Sequence, residues 1–333
     1  MHEDWAKVGY RLDWVGFPFG VDDRPVKLAA MNVQSDFVIV QRDSSAVTLM
    51  EATTGKNRWS TELTGPLTKW VGVTREEGPA GRLLVASESE IFVLAPATGN
   101  LLGRQRLARV VNTPPLLMGD TAVFGTSLGV VHAHNLNNGL PLWAFATDAS
   151  IEGALMEVQG VVAAVSQRGD VMFLNAAGNM IGRARVFGSL DCDPATDGNR
   201  LYIACHDQSL WAFEITGATA WRLRTSNPLM ASPTLHDGAL YVDLGAQGLS
   251  RLDPESGSIH WSNPNAHGRV IGIRGGRLLV WNAGSLATLD PATGDIVSQA
   301  AVPGVVTVAP DAFVDGHLYA VSDRGVVAKF MPR

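Results

Sequence analysis

What the chain lacks narrows its function first. No run rich in lysine or arginine interrupts it, and 26 basic against 32 acidic residues give a formal charge of −6, so nucleic acid is not an expected partner. No apolar run reaches the roughly eighteen residues that a membrane helix needs. The opening Met1-His-Glu-Asp-Trp5 has no basic stretch followed by an apolar one, so no export signal is visible; a leader already removed would leave the same picture. A nucleophile elbow of the Gly-x-Ser-x-Gly kind, a phosphate-binding loop, a dinucleotide fingerprint and a His-Glu-x-x-His helix are all missing. Charged residues make up only 17% of the chain against 46% hydrophobic, which excludes a disordered polymer. Cysteine is scarce. Cys192 and Cys205 flank the turn Asp197-Gly198 near opposed positions of a hairpin, and a cross-strand disulfide and two buried thiols are both open.

What is present is a repeat. The phrase Leu289-Asp-Pro-Ala-Thr-Gly-Asp295 recurs as Leu49-Met-Glu-Ala-Thr-Thr-Gly55, Leu94-Ala-Pro-Ala-Thr-Gly99, His134-Asn-Leu-Asn-Asn-Gly139, Leu174-Asn-Ala-Ala-Gly178, Phe213-Glu-Ile-Thr-Gly217 and Leu252-Asp-Pro-Glu-Ser-Gly257. With Gly294 the glycines fall 44, 40, 39, 39, 40 and 37 residues apart. A period near forty built from short apolar runs predicts a β-propeller with one four-stranded antiparallel blade per repeat. Trp59, Trp143, Trp221 and Trp261 each follow a turn glycine by four residues, where Gly103, Gly182 and Ser298 stand in the other copies. A tryptophan at that offset can fill the gap to the next blade and give its indole N–H to a carbonyl. These four are expected to be structural.

Seven turns leave one blade to account for. Tyr10-Arg-Leu-Asp-Trp-Val15 has the look of the strand that follows each turn, and the chain stops after Gly316-His-Leu-Tyr-Ala-Val321 and Gly325-Val-Val-Ala-Lys-Phe330 without another turn. The expected fold is therefore all-β, an eight-bladed propeller in one domain over 1–333. Residues 1–20 serve as closing strand and linker, the repeats fill about 26–330, and the N-terminal strand joins the C-terminal blade to remove exposed edges. Val73–Gly81 reads as the longest insertion, and Phe17–Pro25 as the link into the first blade.

Ser232-Pro-Thr-Leu-His-Asp-Gly-Ala-Leu-Tyr-Val242, followed by a turn and then by the Leu-Asp-x-x-Thr-Gly-x-x-x-Trp phrase, resembles the repeat of pyrroloquinoline-quinone-like propellers over essentially the whole chain. That family joins quinone-dependent alcohol dehydrogenases to the non-enzymatic BamB-type lipoproteins, which assist β-barrel insertion into the outer membrane. The resemblance implies the fold and leaves the function to be decided. Eight bare blades leave no room for the dehydrogenases' long loops, and no two cysteines are adjacent to stack on a quinone. The favoured expectation is a scaffold without catalysis, cofactor or metal. It would be a periplasmic monomer within the barrel assembly complex, and a leader and lipid-bearing cysteine would lie upstream of Met1. A quinone- and calcium-dependent oxidoreductase and a binder of small ligands or glycans in the central channel are the alternatives.

Candidate binding residues are few. Asn112, Glu152 and Asp191 fall at matching positions of successive inner strands, as do Lys27, Lys69 and Arg269 in others, and such a ring suits a polar ligand or a charged loop. Asp191-Cys192-Asp193 puts two carboxylates on one strand face, open to calcium or to plain solvation. His132-Ala-His134 likewise places two imidazoles on one face, read as partly exposed. Trp70 on an inner strand is either an interface anchor or core, and Met230 with Leu229 reads as an apolar lip.

Overall fold

Short apolar runs rich in β-branched residues, punctuated by glycine turns, favour strands throughout, and the computed structural model is built almost wholly of them. It describes residues 2–20, 28–42, 46–65, 68–76 and 81–333. Among the described residues, thirty-two strands form eight four-stranded antiparallel sheets. Blade 1 spans 28–62, blade 2 70–106, blade 3 116–146, blade 4 156–185, blade 5 195–224, blade 6 234–263 and blade 7 269–301, each with its strands in chain order. Blade 8 is composite: three strands within 305–332 are completed by Tyr10–Gly16, which pairs antiparallel with Val327–Pro332. The eight-bladed architecture and the closing N-terminal strand are as the repeat arithmetic predicts.

The chain divides into two compact units, Met1–Gln105 with Val270–Arg333, and Arg106–Arg269. In the first, the apolar faces of blades 1 and 2 enclose Ile39, Leu49, Val85 and Phe92, while blades 8 and 1 enclose Val38, Met50, Tyr319 and Val321. In the second, the core lies in three such layers, between blades 3 and 4, 4 and 5, and 5 and 6. Second and third strands are covered on both faces and so read as continuous apolar runs such as Phe37–Val40 and Leu201–Cys205. Fourth strands alternate between exposed and covered residues. First strands are short in blades 3 to 6; that of blade 5 contacts those of blades 4 and 6, and those of blades 1 and 2 contact each other. Crowding at this inner side explains the small residues and prolines that precede them.

Two expectations change, and one open alternative is resolved. Residues 1–20 are more than strand and linker, because His2–Lys7 is an α-helix whose Trp5 stacks on Phe330 with centroids 3.6 Å apart. Val73–Arg75, read as insertion, continues the first strand of blade 2, Trp70–Arg75; Glu77–Ala80 lie outside the described residues. Trp70 is buried in the layer between blades 1 and 2, with Phe92 at 5.7 Å, so it is not an interface anchor. The strand alternation that places it also faces it inward.

Candidate functional site

Trp59, Trp143 and Trp221, which follow the turns, act between blades. Trp59 donates its indole N–H to the Pro96 carbonyl of blade 2 at 2.8 Å, Trp143 to Ala176 of blade 4 at 2.9 Å, and Trp221 to Pro254 of blade 6 at 2.9 Å. Trp261 is buried, 6.2 Å from the Tyr241 ring. The partner turns need glycine for a steric reason: a Cβ on Gly99 would stand 2.5 Å from the Trp59 ring, and Gly178 and Gly257 meet Trp143 and Trp221 in the same way. Gly55, Gly139, Gly217 and Gly294 also take positive φ. Where blade 4 has Gly182 in place of tryptophan, the backbone of the Ile215–Gly217 turn fills the space. The sequence reading missed one member of the set. Trp14 gives its N–H to Ala52 O at 3.0 Å and its ring covers Gly55, and the buried Lys329 Nζ reaches the same carbonyl at 2.9 Å. Its signal was Gly9, five residues before Trp14 instead of four.

Strand direction alternates within a blade, so the loop into the next first strand and the turn between second and third strands share one end. At that end of unit Arg106–Arg269 the loops are stitched down. Ile151 N donates to Thr126 O, Gln167 N to Ser150 O, His206 N to Ser189 O and Leu229 N to Cys205 O, all within 3.2 Å. The Gln167 side chain adds a bond to Leu190 O at 2.9 Å. Four large apolar side chains stand out from this rigid base: Val110 is 52% exposed, Leu128 84%, Phe187 72% and Met230 63%. Phe187 is held by its backbone, whose N–H meets Asp207 at 3.3 Å, while Asp207 also accepts from Trp211 and Arg222. The ring lies mostly in solvent, with the Trp211 ring tilted beside it at 6.2 Å between centroids. Leu229 is fully buried, so the lip read from the sequence reduces to Met230.

A polar ladder borders the same end. Asn112 Nδ2 donates to the Glu152 carboxylate and to Ile151 O. One blade on, Ala154 N donates to Asp193 Oδ1 at 2.8 Å, and Asp193 N to Ser232 Oγ at 3.1 Å. These residues precede the inner strands, and Asp193, not Asp191, continues the series. Asp191 and Asp193 do not share a strand face, because the chain bends there: Asp191 instead approaches His206 Nε2 at 2.9 Å. Ser189 Oγ lies 3.4 Å from His206 Nδ1, so a serine, a histidine and an aspartate converge. The His206–Asp191 contact is off the hydrogen-bond direction and the carboxylate is half exposed, so Asp191 does not orient the ring as the aspartate of a catalytic triad does.

His132 and His134 are buried, not partly exposed, in the covered third strand of blade 3, and burial lowers the basicity of both, His132 to about 4. Lys69 and Arg269 are exposed, and Lys27 lies outside the described residues. Cys192 and Cys205 are free thiols on opposite faces of blade 5, with Cys205 in the layer toward blade 4 and Cys192 against the layer toward blade 6. Burial pushes each thiol up to about 12. No group of three or more histidine, cysteine, aspartate or glutamate side chains among the described residues is arranged to hold a metal, and no helix there is long and apolar enough to cross a membrane. A cleft of about 360 Å³ opens at the other end of blades 4 to 6, lined among others by Asp197, Arg200, Glu214 and Glu255.

Blades docked by tryptophan, with protruding apolar side chains at one loop end, define an eight-bladed propeller. The family model described as outer membrane protein assembly factor BamB matches residues 43–189, 129–270 and 167–332, and the chain belongs to that family. Outer membrane protein assembly factor BamB of Legionella pneumophila (strain Paris) is 23% identical over 235 residues, which are 68% of this chain and 52% of that protein; the match thus spans about half of the relative's length. The crystal structure of BamB from Moraxella catarrhalis superposes with a TM-score of 0.70 at 21% identity, covering 91% of this chain and 93% of that one. The computationally designed Ika8 protein superposes with a TM-score of 0.75 at 12% identity, covering 93% and 98%. Both show the same fold.

Proposed function

We propose that this protein is a non-catalytic scaffold in outer-membrane β-barrel assembly, working in the periplasm as one member of a complex. The observation that carries the reading is the apolar quartet Val110, Leu128, Phe187 and Met230 on stitched loops at one end of blades 3 to 6. A partner domain that covers them gains apolar burial without having to order the loops first, so little of the binding energy is spent on immobilisation. Phe187 is the central anchor, because aromatic side chains dominate interface energetics. The family's dehydrogenase branch finds no support in the site: the thiols are neither adjacent nor on one face.

The test is co-purification of tagged protein with outer-membrane barrel assembly components from detergent extracts. Replacing Phe187 and Leu128 together by aspartate is expected to lower recovery by about 30-fold or more, the equivalent of roughly 2 kcal/mol at a central anchor. Undiminished recovery by the folded double variant would overturn the reading.

A further inference from the structure

The outer strand of each blade has one edge that no strand of its own sheet covers, and such edges recruit other chains unless something prevents it. Most outer strands here carry charge. Asn57–Glu62 holds Arg58 and Glu62, Leu101–Arg106 holds Arg104 and Arg106, Met180–Arg185 holds Arg183 and Arg185, Thr219–Arg224 holds Arg222 and Arg224, and Tyr10–Gly16 holds Arg11 and Asp13. Ile259–Asn263 has His260. Two strands have no ionisable side chain at all: Ile296–Ala301 in blade 7 and Pro141–Ala146 in blade 3. The first is covered by the chain itself, since the helix His2–Lys7 packs on it and sets Trp5 and Val8 into a common cluster with Ala300 and Val302. For the second, no described residue pairs with its outer edge, and Leu140, Leu142, Ala144 and Ala146 are exposed.

A separate observation singles out the same strand. In other blades a polar pair ties the outer strand to the third: Thr48 with Ser60 at 2.9 Å, Asp170 with Arg183 at 2.7 Å, Ser209 with Arg222 at 3.0 Å and Ser250 with Ser262 at 2.7 Å. In blade 3, Ala144 stands opposite His132, whose buried Nε2 has no hydrogen-bond partner among the described residues. The outer strand there carries no charge and offers no polar side chain to the third strand; the His132 ring bonds to the Trp143 backbone instead.

We propose that Leu142–Ala146 is a docking edge for an uncharged, extended segment of a partner polypeptide with apolar side chains at every second position. The charge balance selects this occupant. A charged strand would have to bury its ions against Leu142, Ala144 and Ala146 with nothing to pair them, whereas an uncharged one gains backbone hydrogen bonds and apolar contact together. Pro141 lacks an N–H and limits pairing to the residues after it. Alternating strands with an uncharged face are what a membrane barrel presents before insertion, so the identity of the occupant as a barrel segment rests on the role proposed above.

The experiment is amide hydrogen exchange on the full chain with and without a synthetic peptide of alternating threonine and leucine flanked by lysine pairs. Wild-type protein is expected to gain protection over Leu142–Ala146 and nowhere else. Ala144→Arg, and Leu142→Arg as a second variant should the first lose its melting transition, should lose that protection. Absence of protection, equal protection in a folded arginine variant, or protection elsewhere would overturn the proposal. So would peptide-free dimerisation through this edge in sedimentation, which would make a second copy the occupant. Recovery of assembly components by Ala144→Arg reads the loop end separately, so the two ideas fail independently.

Discussion

Gly99 and Gly160 have nearly the same backbone, φ +73° and +76°, in different surroundings: the Trp59 ring crowds the first, and open space surrounds the second. Alanine at Gly160 should cost about 1 kcal/mol, the left-handed penalty alone. At Gly99 it should cost clearly more, because Trp59 must leave Pro96. Urea denaturation of both variants measures the difference, and equal losses would contradict the docking account. His132 offers a pH test. Burial first, and then His134 beside it, take it from 6.5 to about 4. Between those values the unfolded chain holds a proton that the folded chain refuses, so stability is complete above about pH 6.5 and falls as acid is added, by roughly 3 kcal/mol over the window. Denaturation at about pH 7.5 and about pH 5 should show a smaller drop for His132→Leu than for wild type. The docking tryptophans were legible because a turn phrase precedes each. The burial of the two histidines was not, since alternation names a shared face without saying what covers it.

At the scale of the element, the presenting loops depend on their stitches. Gln167 holds Leu190 O in the loop that leads into blade 5. Gln167→Leu should leave the melting temperature nearly unchanged and speed amide exchange over Phe187–Asp191, and exchange as slow as wild type would show that the loop is held elsewhere. Strands and turns were readable from alternation and glycine. The helix His2–Lys7 was not, because six residues are too few for a helical period and its stability comes from Trp5 on Phe330. Phe187 and Leu128 also escaped notice: in a loop no period separates an exposed aromatic from a core one.

For the whole molecule, we propose that residues 1–333 unfold as one cooperative domain, because Tyr10–Gly16 completes blade 8, Trp14 docks on blade 1 and Trp5 stacks on Phe330. Deleting residues 1–20 exposes the edge of Val327–Pro332 and strips all three contacts, so the truncated chain should lose its sharp thermal transition and its solubility. A sharp transition near the parent temperature would contradict this. The repeat made the architecture legible because each blade spells its own turn. The proposed presenting surface was not legible, because it is assembled from loops far apart in the chain that resemble one another in nothing but place. The most direct test of the scaffold account is site-specific photo-crosslinking in cells from the two ends of the same blades. A reactive residue at Leu128, Phe187 or Met230 should capture outer-membrane assembly components, and one at Gln159 or Glu214 at the opposite end should not. Capture from the opposite end alone would place the partner on the wrong face and contradict the account.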